Sequence, residues 1–140
     1  MGQRVCGVAL LAFLLSYSVV AAQTSEEAFE LELNDAKPTA DGCRVTFVAV
    51  NKLATRLDKT AIEIGVFDAK NIFSEMVVFD FGRLPAGKTK VVQYDLRRSC
   101  DSIGRLLLNS VKDCMGEKDM KRQCEDNIKT RSLANIAFGQ

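Results

Sequence analysis

The chain contains no histidine and no tryptophan among its 140 residues. Without an imidazole there is no Ser-His or Cys-His nucleophile pair, no histidine general base, and no zinc or copper centre of the common histidine-bearing kinds. Most hydrolase templates go with it, and only a Lys, Glu, Asp or Tyr tuned by burial is left for acid-base work. Proline is scarce at 2 residues and glycine stands at 9, which excludes collagen-like and Pro/Gly-rich disordered chains. Neither sign of charge dominates, with 19 basic against 18 acidic residues. That balance argues against nucleic acid or an anionic membrane as the main partner, because both are bound through an excess of Lys and Arg. Beyond the N-terminal region no apolar run is long enough to span a bilayer.

What is present describes a globular protein with room for one domain, 47% hydrophobic and 26% charged. Residues 1–22 read as a secretory signal. Arg4 supplies a positive start, Val8 to Leu15 an apolar stretch, and Val20-Ala21-Ala22 a small-residue cleavage site before Gln23. Cleavage after Ala22 leaves 23–140 as a single domain and places the protein in the periplasm. It also removes Arg4, so that 18 basic residues meet 18 acidic ones.

The same cleavage removes Cys6 and turns five cysteines into four: Cys43, Cys100, Cys114 and Cys124. An even number in an exported chain reads as two disulfides, and four cysteines permit three pairings. Cys43–Cys100 with Cys114–Cys124 is the favoured one. Cys43 opens one predicted strand and Cys100 precedes another, while Cys114 and Cys124 flank a short polar segment. No C-x-x-C pair supports a metal or redox centre, and no cofactor is expected.

Alternation at period two marks Phe29 to Leu33, Cys43 to Asn51 and Ile62 to Val66 as strands. Asp68-Ala69-Lys70-Asn71 forms a hairpin loop leading into a long apolar strand, Ile72 to Phe81. Leu84-Pro85-Ala86-Gly87-Lys88 is a tight turn in which Gly87 can take positive φ. Thr89 to Leu96 and Ile103 to Val111 follow. Helical turns over Glu117 to Cys124 interrupt the pattern before a last strand within Ile128 to Phe138. The expected fold is all-β, an immunoglobulin-like antiparallel sandwich of about seven strands with one short helix near the C-terminus.

Several stretches carry a resemblance: Cys43 to Asn51, Val66-Phe67-Asp68-Ala69, Phe79 to Lys88, Gln93-Tyr94-Asp95-Leu96 and Cys100 to Asn109. The chain resembles small exported alphaproteobacterial proteins of unknown function over about 29–138, although many of those begin with a twin Arg that is missing here. More loosely it is similar to immunoglobulin-like modules of bacterial envelopes. The resemblance implies a periplasmic β-sandwich and brings no activity with it.

Three sets of residues invite a functional reading. If Val77, Phe79 and Phe81 face inward, Met76 and Val78 face outward with Phe67, Val91 and Leu107 as neighbours. Phe67, Met76, Val78 and Val91 would then form a face for an envelope protein partner or for self-association. Arg97-Arg98 and the lysines and arginines of 112–131 are interleaved with acids and read as a self-paired surface. The carboxylates Glu63, Asp68, Glu75, Asp80 and Asp95 are scattered over strands and turns, where exposed acids are ordinary. A noncatalytic interaction module is therefore the leading expectation. A small-ligand or metal carrier stands second, and an enzyme lacking His chemistry is the remote third.

Overall fold

The computed structural model describes residue 2 and residues 27–140. The remainder of the segment read as a signal, including its Ala22 cleavage site and Cys6, lies outside the described residues. Among the described residues eight strands build two four-stranded sheets: β1 (Phe29–Thr39), β2 (Gly42–Asn51), β3 (Lys59–Asp68), β4 (Phe73–Asp80), β5 (Thr89–Leu96), β6 (Ile103–Met115), β7 (Ile128–Ser132) and β8 (Ala137–Gly139). A 3-10 turn at Cys100–Ser102 precedes β6, and a helix, α1 (Lys121–Asn127), precedes β7. One sheet has the order β5-β2-β1-β7 and the other β4-β3-β6-β8. The first six strands make the expected antiparallel sandwich, and the two short C-terminal strands each close a sheet in parallel.

Alternation explains why these segments pair. Cys43, Val45, Phe47 and Ala49 of β2 are fully buried, while Arg44, Thr46, Val48 and Val50 face out. Phe47 sits at the centre of the space between the sheets, with the rings of Phe79, Phe81 and Phe138 5.3 to 5.9 Å away. One continuous core runs from Phe29 to Phe138 and fills that space. Within Leu106-Leu107-Leu108, Leu106 and Leu108 point inward and Leu107 is half-buried on the outer face.

Three boundaries differ from the expectation. β1 continues through Pro38, because β7 pairs with β1 only as far as Leu33 and leaves Pro38 on an edge, where its missing N–H costs no ladder bond. The helix begins at Lys121 and not at Glu117, since Asp119 accepts a hydrogen bond from the Lys121 N–H at 2.9 Å and starts the coil there. The last stretch is two strands in different sheets, not one. Ser132 Oγ donates to the Ile136 carbonyl at 2.6 Å, so the chain turns at Leu133 to Ile136 and crosses over.

Both ends of β2 are fastened. At its start, Cys43 is bridged to Cys100 with the Cα atoms 4.8 Å apart, tying one sheet to the turn that feeds the other. Cys114 and Cys124 form the second bridge, between the end of β6 and α1. At the far end of β2 the Asn51 side chain is fully buried. Its Nδ2 donates to the Thr55 carbonyl at 2.9 Å and to the Leu84 carbonyl at 3.0 Å, and its Oδ1 accepts from the Leu53 N–H at 3.0 Å. Gly87, at φ +68° as the turn requires, donates its N–H to the Asn51 carbonyl at 2.7 Å.

The open side of the sandwich, between β5 and β4, is closed by side chains. Tyr94 stacks on Phe79 with centroids 4.3 Å apart, and its hydroxyl donates to the Asp80 carbonyl. Arg98 reaches Glu75 at 3.0 Å. Desolvation, and after it the Asp80 carboxylate, push the Tyr94 phenol up from 10.0 to about 12. A phenol that ionises later in the folded than in the unfolded chain leaves stability intact below pH 10 and removes it as pH rises towards 12. Urea midpoints at pH 9 and at about pH 11.5 should therefore fall further in the wild type than in Tyr94→Phe. Equal falls in both proteins would refute the role given to Tyr94.

Candidate functional site: the outer face of the β4-β3-β6 sheet

Two devices shape this face. The first is a β-bulge: Val66 pairs with Glu75 but Phe67 pairs with Phe73, so Ser74 is the extra residue of β4. From Glu75 onward the odd positions Val77 and Phe79 point into the core. The bulge reverses this parity and turns Phe73 outward beside Phe67. The second is Gly65, whose lack of a side chain leaves room for the rings of Phe67 and Phe73. A Cβ there would lie 3.3 Å from the Phe67 ring, 3.8 Å from the Phe73 ring and 3.9 Å from Leu107.

The result is a contiguous apolar surface. Phe67 and Phe73 meet edge to face with centroids 5.8 Å apart. Met76 lies opposite Gly65, which lies opposite Leu107, and Val78 follows on the same face. Phe73 is 52% exposed, Val78 50% and Met76 44%. Arg105 of β6 completes the patch, its guanidinium carbon 4.4 Å from the centre of the Phe67 ring. Among the described residues Arg105 has no carboxylate partner, and its Nε is buried without an acceptor. A cation held against an aromatic face and not neutralised is an unusual neighbour for exposed phenylalanines.

Of the four residues predicted to share a face, the structure brings Phe67, Met76 and Val78 together and separates Val91. Val91, on β5, pairs with Val48 of β2, on the outer face of the other sheet and thus across the sandwich. Its exposure of 61% is real, but alternation along β5 sends Val92 and Tyr94 to the core and Val91 away from the β4 side. Phe73 and Arg105 were not among the predicted face. The first depends on a bulge and the second on a pairing between β3 and β6, and neither is written in local periodicity.

The carboxylate candidates are engaged structurally. Glu63 accepts from Asn109 at 2.7 Å and Ser110 at 3.2 Å and pairs with Lys112 at 3.2 Å. Bulges in β6 at Asn109 and Lys112 gather these donors, and the Asn109 hydrogen bond, followed by Lys112, holds the Glu63 carboxyl below its ordinary range. Asp95 grips Arg44 through both oxygens at 2.7 and 2.8 Å. Asp68 caps the hairpin by accepting from the N–H groups of Lys70 and Ile72, and Asp80 accepts from Gly82 N–H at 2.7 Å. Among the described residues no group of three His, Cys, Asp or Glu is arranged to hold a metal.

No protein-family model, curated protein or solved structure matches the chain. The site must therefore speak through its own chemistry. On the opposite sheet a depression of about 220 Å³ is lined by Glu30, Glu32, Val48, Val50, Lys129 and Arg131. Its charges are internally satisfied, with Glu32 paired to Arg131 and Glu30 to Lys52. Its volume is also below that of ordinary small-ligand pockets. The apolar face of the β4-β3-β6 sheet is the larger chemical anomaly.

Proposed function

We propose that this protein is an exported, noncatalytic interaction module whose outer β4-β3-β6 face receives another protein surface. The observation that carries the reading is the continuity of Phe67, Phe73, Met76, Val78 and Leu107 beside an un-neutralised Arg105. Exposed apolar patches of this kind mark interaction sites, and aromatic residues with Arg are the types enriched where such sites bind tightly. Two disulfides support an oxidising destination, which we place in the periplasm after cleavage behind Ala22. Among the described residues no helix is long and apolar enough to cross a membrane. The partner is a component of the cell envelope or a second copy of this chain.

A photo-crosslinking amino acid at Phe73 tests the face in living cells, with the same group at Val91 as the control on the opposite sheet. Covalent adducts are expected at Phe73 and not at Val91, and Met76→Lys with Val78→Lys should reduce them at least tenfold. Introducing two buried lysines at a packed interface costs several times the roughly 1.4 kcal/mol that a tenfold loss requires. Equal adduct yields at the two positions, or adducts indifferent to the lysines, would refute the proposal.

A further inference from the structure

We propose that β4 is a self-association edge, pairing antiparallel with β4 of a second copy in the register that sets Met76 opposite Val78. This rests on the docking-face reading above and names its occupant. β4 is the outermost strand of its sheet. The Phe81 N–H donates to the Thr60 carbonyl of β3, whereas the Asp80 carbonyl points away from β3 and is taken by the Tyr94 hydroxyl. Peptide groups alternate in direction along a strand, and β4 pairs with β3 without interruption from Asp80 to Glu75. The N–H and C=O groups of Val78 and Met76 therefore face the open edge, while those of Val77 and Phe79 are spent on β3.

Between Glu75 and Asp80 this edge is also weakly defended: its bulge, at Ser74, and its two acids lie at or beyond the ends of that stretch. Its sequence Phe-Ser-Glu-Met-Val-Val-Phe-Asp has no lysine, arginine or proline. The other edges are defended: β5 carries Lys90, β7 carries Lys129 and Arg131, and β8 is three residues long. Only one antiparallel register uses the two open residues and nothing else. Met76 faces Val78 of the copy and Val78 faces Met76, each a pair that exchanges both backbone hydrogen bonds, with Val77 opposite Val77 between them. Neighbouring register choices pair Met76 with Asp80, whose carbonyl is already occupied, or Met76 with itself, leaving Val78 to face the bulged Ser74.

The chosen register is also compatible in side chains. Met76 and Val78 are both exposed on the outer face, so the apolar surface of one copy runs into that of the other. Glu75 stands opposite Phe79 and Asp80 opposite Ser74, and no like charges meet. The product is one eight-stranded sheet across a two-fold axis, with the Phe67 and Phe73 clusters flanking the seam.

Sedimentation equilibrium of the purified, disulfide-bonded protein tests the pairing. A reversible dimer is expected, and Met76→Pro should weaken it tenfold or more, because it deletes an outward N–H from each copy and leaves the β3 ladder intact. Val91→Lys should leave it unchanged. If Met76→Pro fails to fold by circular dichroism, Val78→Lys, at an exposed side chain, decides instead. Val77→Cys should cross-link two copies under oxidation, since that pair places the Cα atoms about 4.5 Å apart, within disulfide range. A monomer at all concentrations, or a dimer unaffected by Met76→Pro and Val78→Lys, would overturn the inference. A monomer that still cross-links through Phe73 to a different protein overturns only the self-pairing, whereas a monomer without such adducts removes the docking face as well.

Discussion

Replacing Asn51 by Leu should cost about 4 kcal/mol of folding stability while leaving the transition cooperative. The side chain sits at the end of β2 with no exposure, and it serves two carbonyls and one N–H drawn from the 52–57 loop and from the Leu84 turn. Leucine fills a similar volume but leaves the Thr55 carbonyl and the Leu53 N–H without partners, and the Leu84 carbonyl with only the Leu57 N–H at 2.9 Å. A buried polar group stripped of its hydrogen bond costs roughly 1–3 kcal/mol, so two of them, together with one of the two hydrogen bonds to the Leu84 carbonyl, give the stated sum. Urea unfolding should show a lower midpoint with an unchanged slope, the sign that stability and not compactness has moved. Lys52→Ala next door, which loses only the exposed pair with Glu30 at 2.6 Å, should change stability by less than about 1 kcal/mol. A loss at Asn51 no larger than that of Lys52→Ala would show that the loop 52–57 and the Leu84 turn hold themselves.

Asn51 also illustrates what the sequence makes visible and what it hides. As the last residue of an alternating stretch it marks the end of β2 in the amino-acid sequence, and strand periodicity locates β5 without error. Its role as a three-way clasp depends on Leu84, which is distant in sequence and brought near by the β4-to-β5 connection. The same division runs through the site. Met76 and Val78 are exposed as their alternation with Val77 and Phe79 requires. Phe73 follows that alternation inward on paper and is turned outward by one extra residue in β4, a two-against-one pairing that period-two counting cannot register. Val91 shows the complementary limit. Alternation identifies it as an outward residue, but which of two sheets it belongs to is decided by β5 pairing with β2 and not with β4. Periodicity therefore reports the face of a strand, and only pairing reports the side of the sandwich.

The second large effect concerns the bridges. Exchanging both Cys43 and Cys100 for Ala should lower stability by about 4 kcal/mol, and exchanging Cys114 and Cys124 by about 3 kcal/mol. The difference follows from the chain closed by each: the partners are 57 residues apart in the first case and 10 in the second, and a longer closed loop removes more entropy from the unfolded ensemble. Alanine is the appropriate replacement because Cys43, Cys114 and Cys124 are fully buried, where a serine hydroxyl would add its own desolvation cost. The bridges act on different parts of the fold. Cys43–Cys100 links the start of β2 to the turn that launches β6, so its loss frees the end of the sandwich opposite the Asn51 clasp. Cys114–Cys124 orders a helix of seven residues, too short to persist without support. Its removal should melt α1, which circular dichroism detects as lost helical signal before global unfolding. The wild type under strong reductant should match the variant lacking all four cysteines. Because Phe67, Phe73 and Met76 lie on strands that neither bridge touches, the Cys114/Cys124 variant should retain its Phe73 adducts wherever it stays folded. If losing the short bridge cost more than losing the long one, loop-closure entropy would not be the dominant contribution, and the packing of α1 against β6 would have to carry the difference.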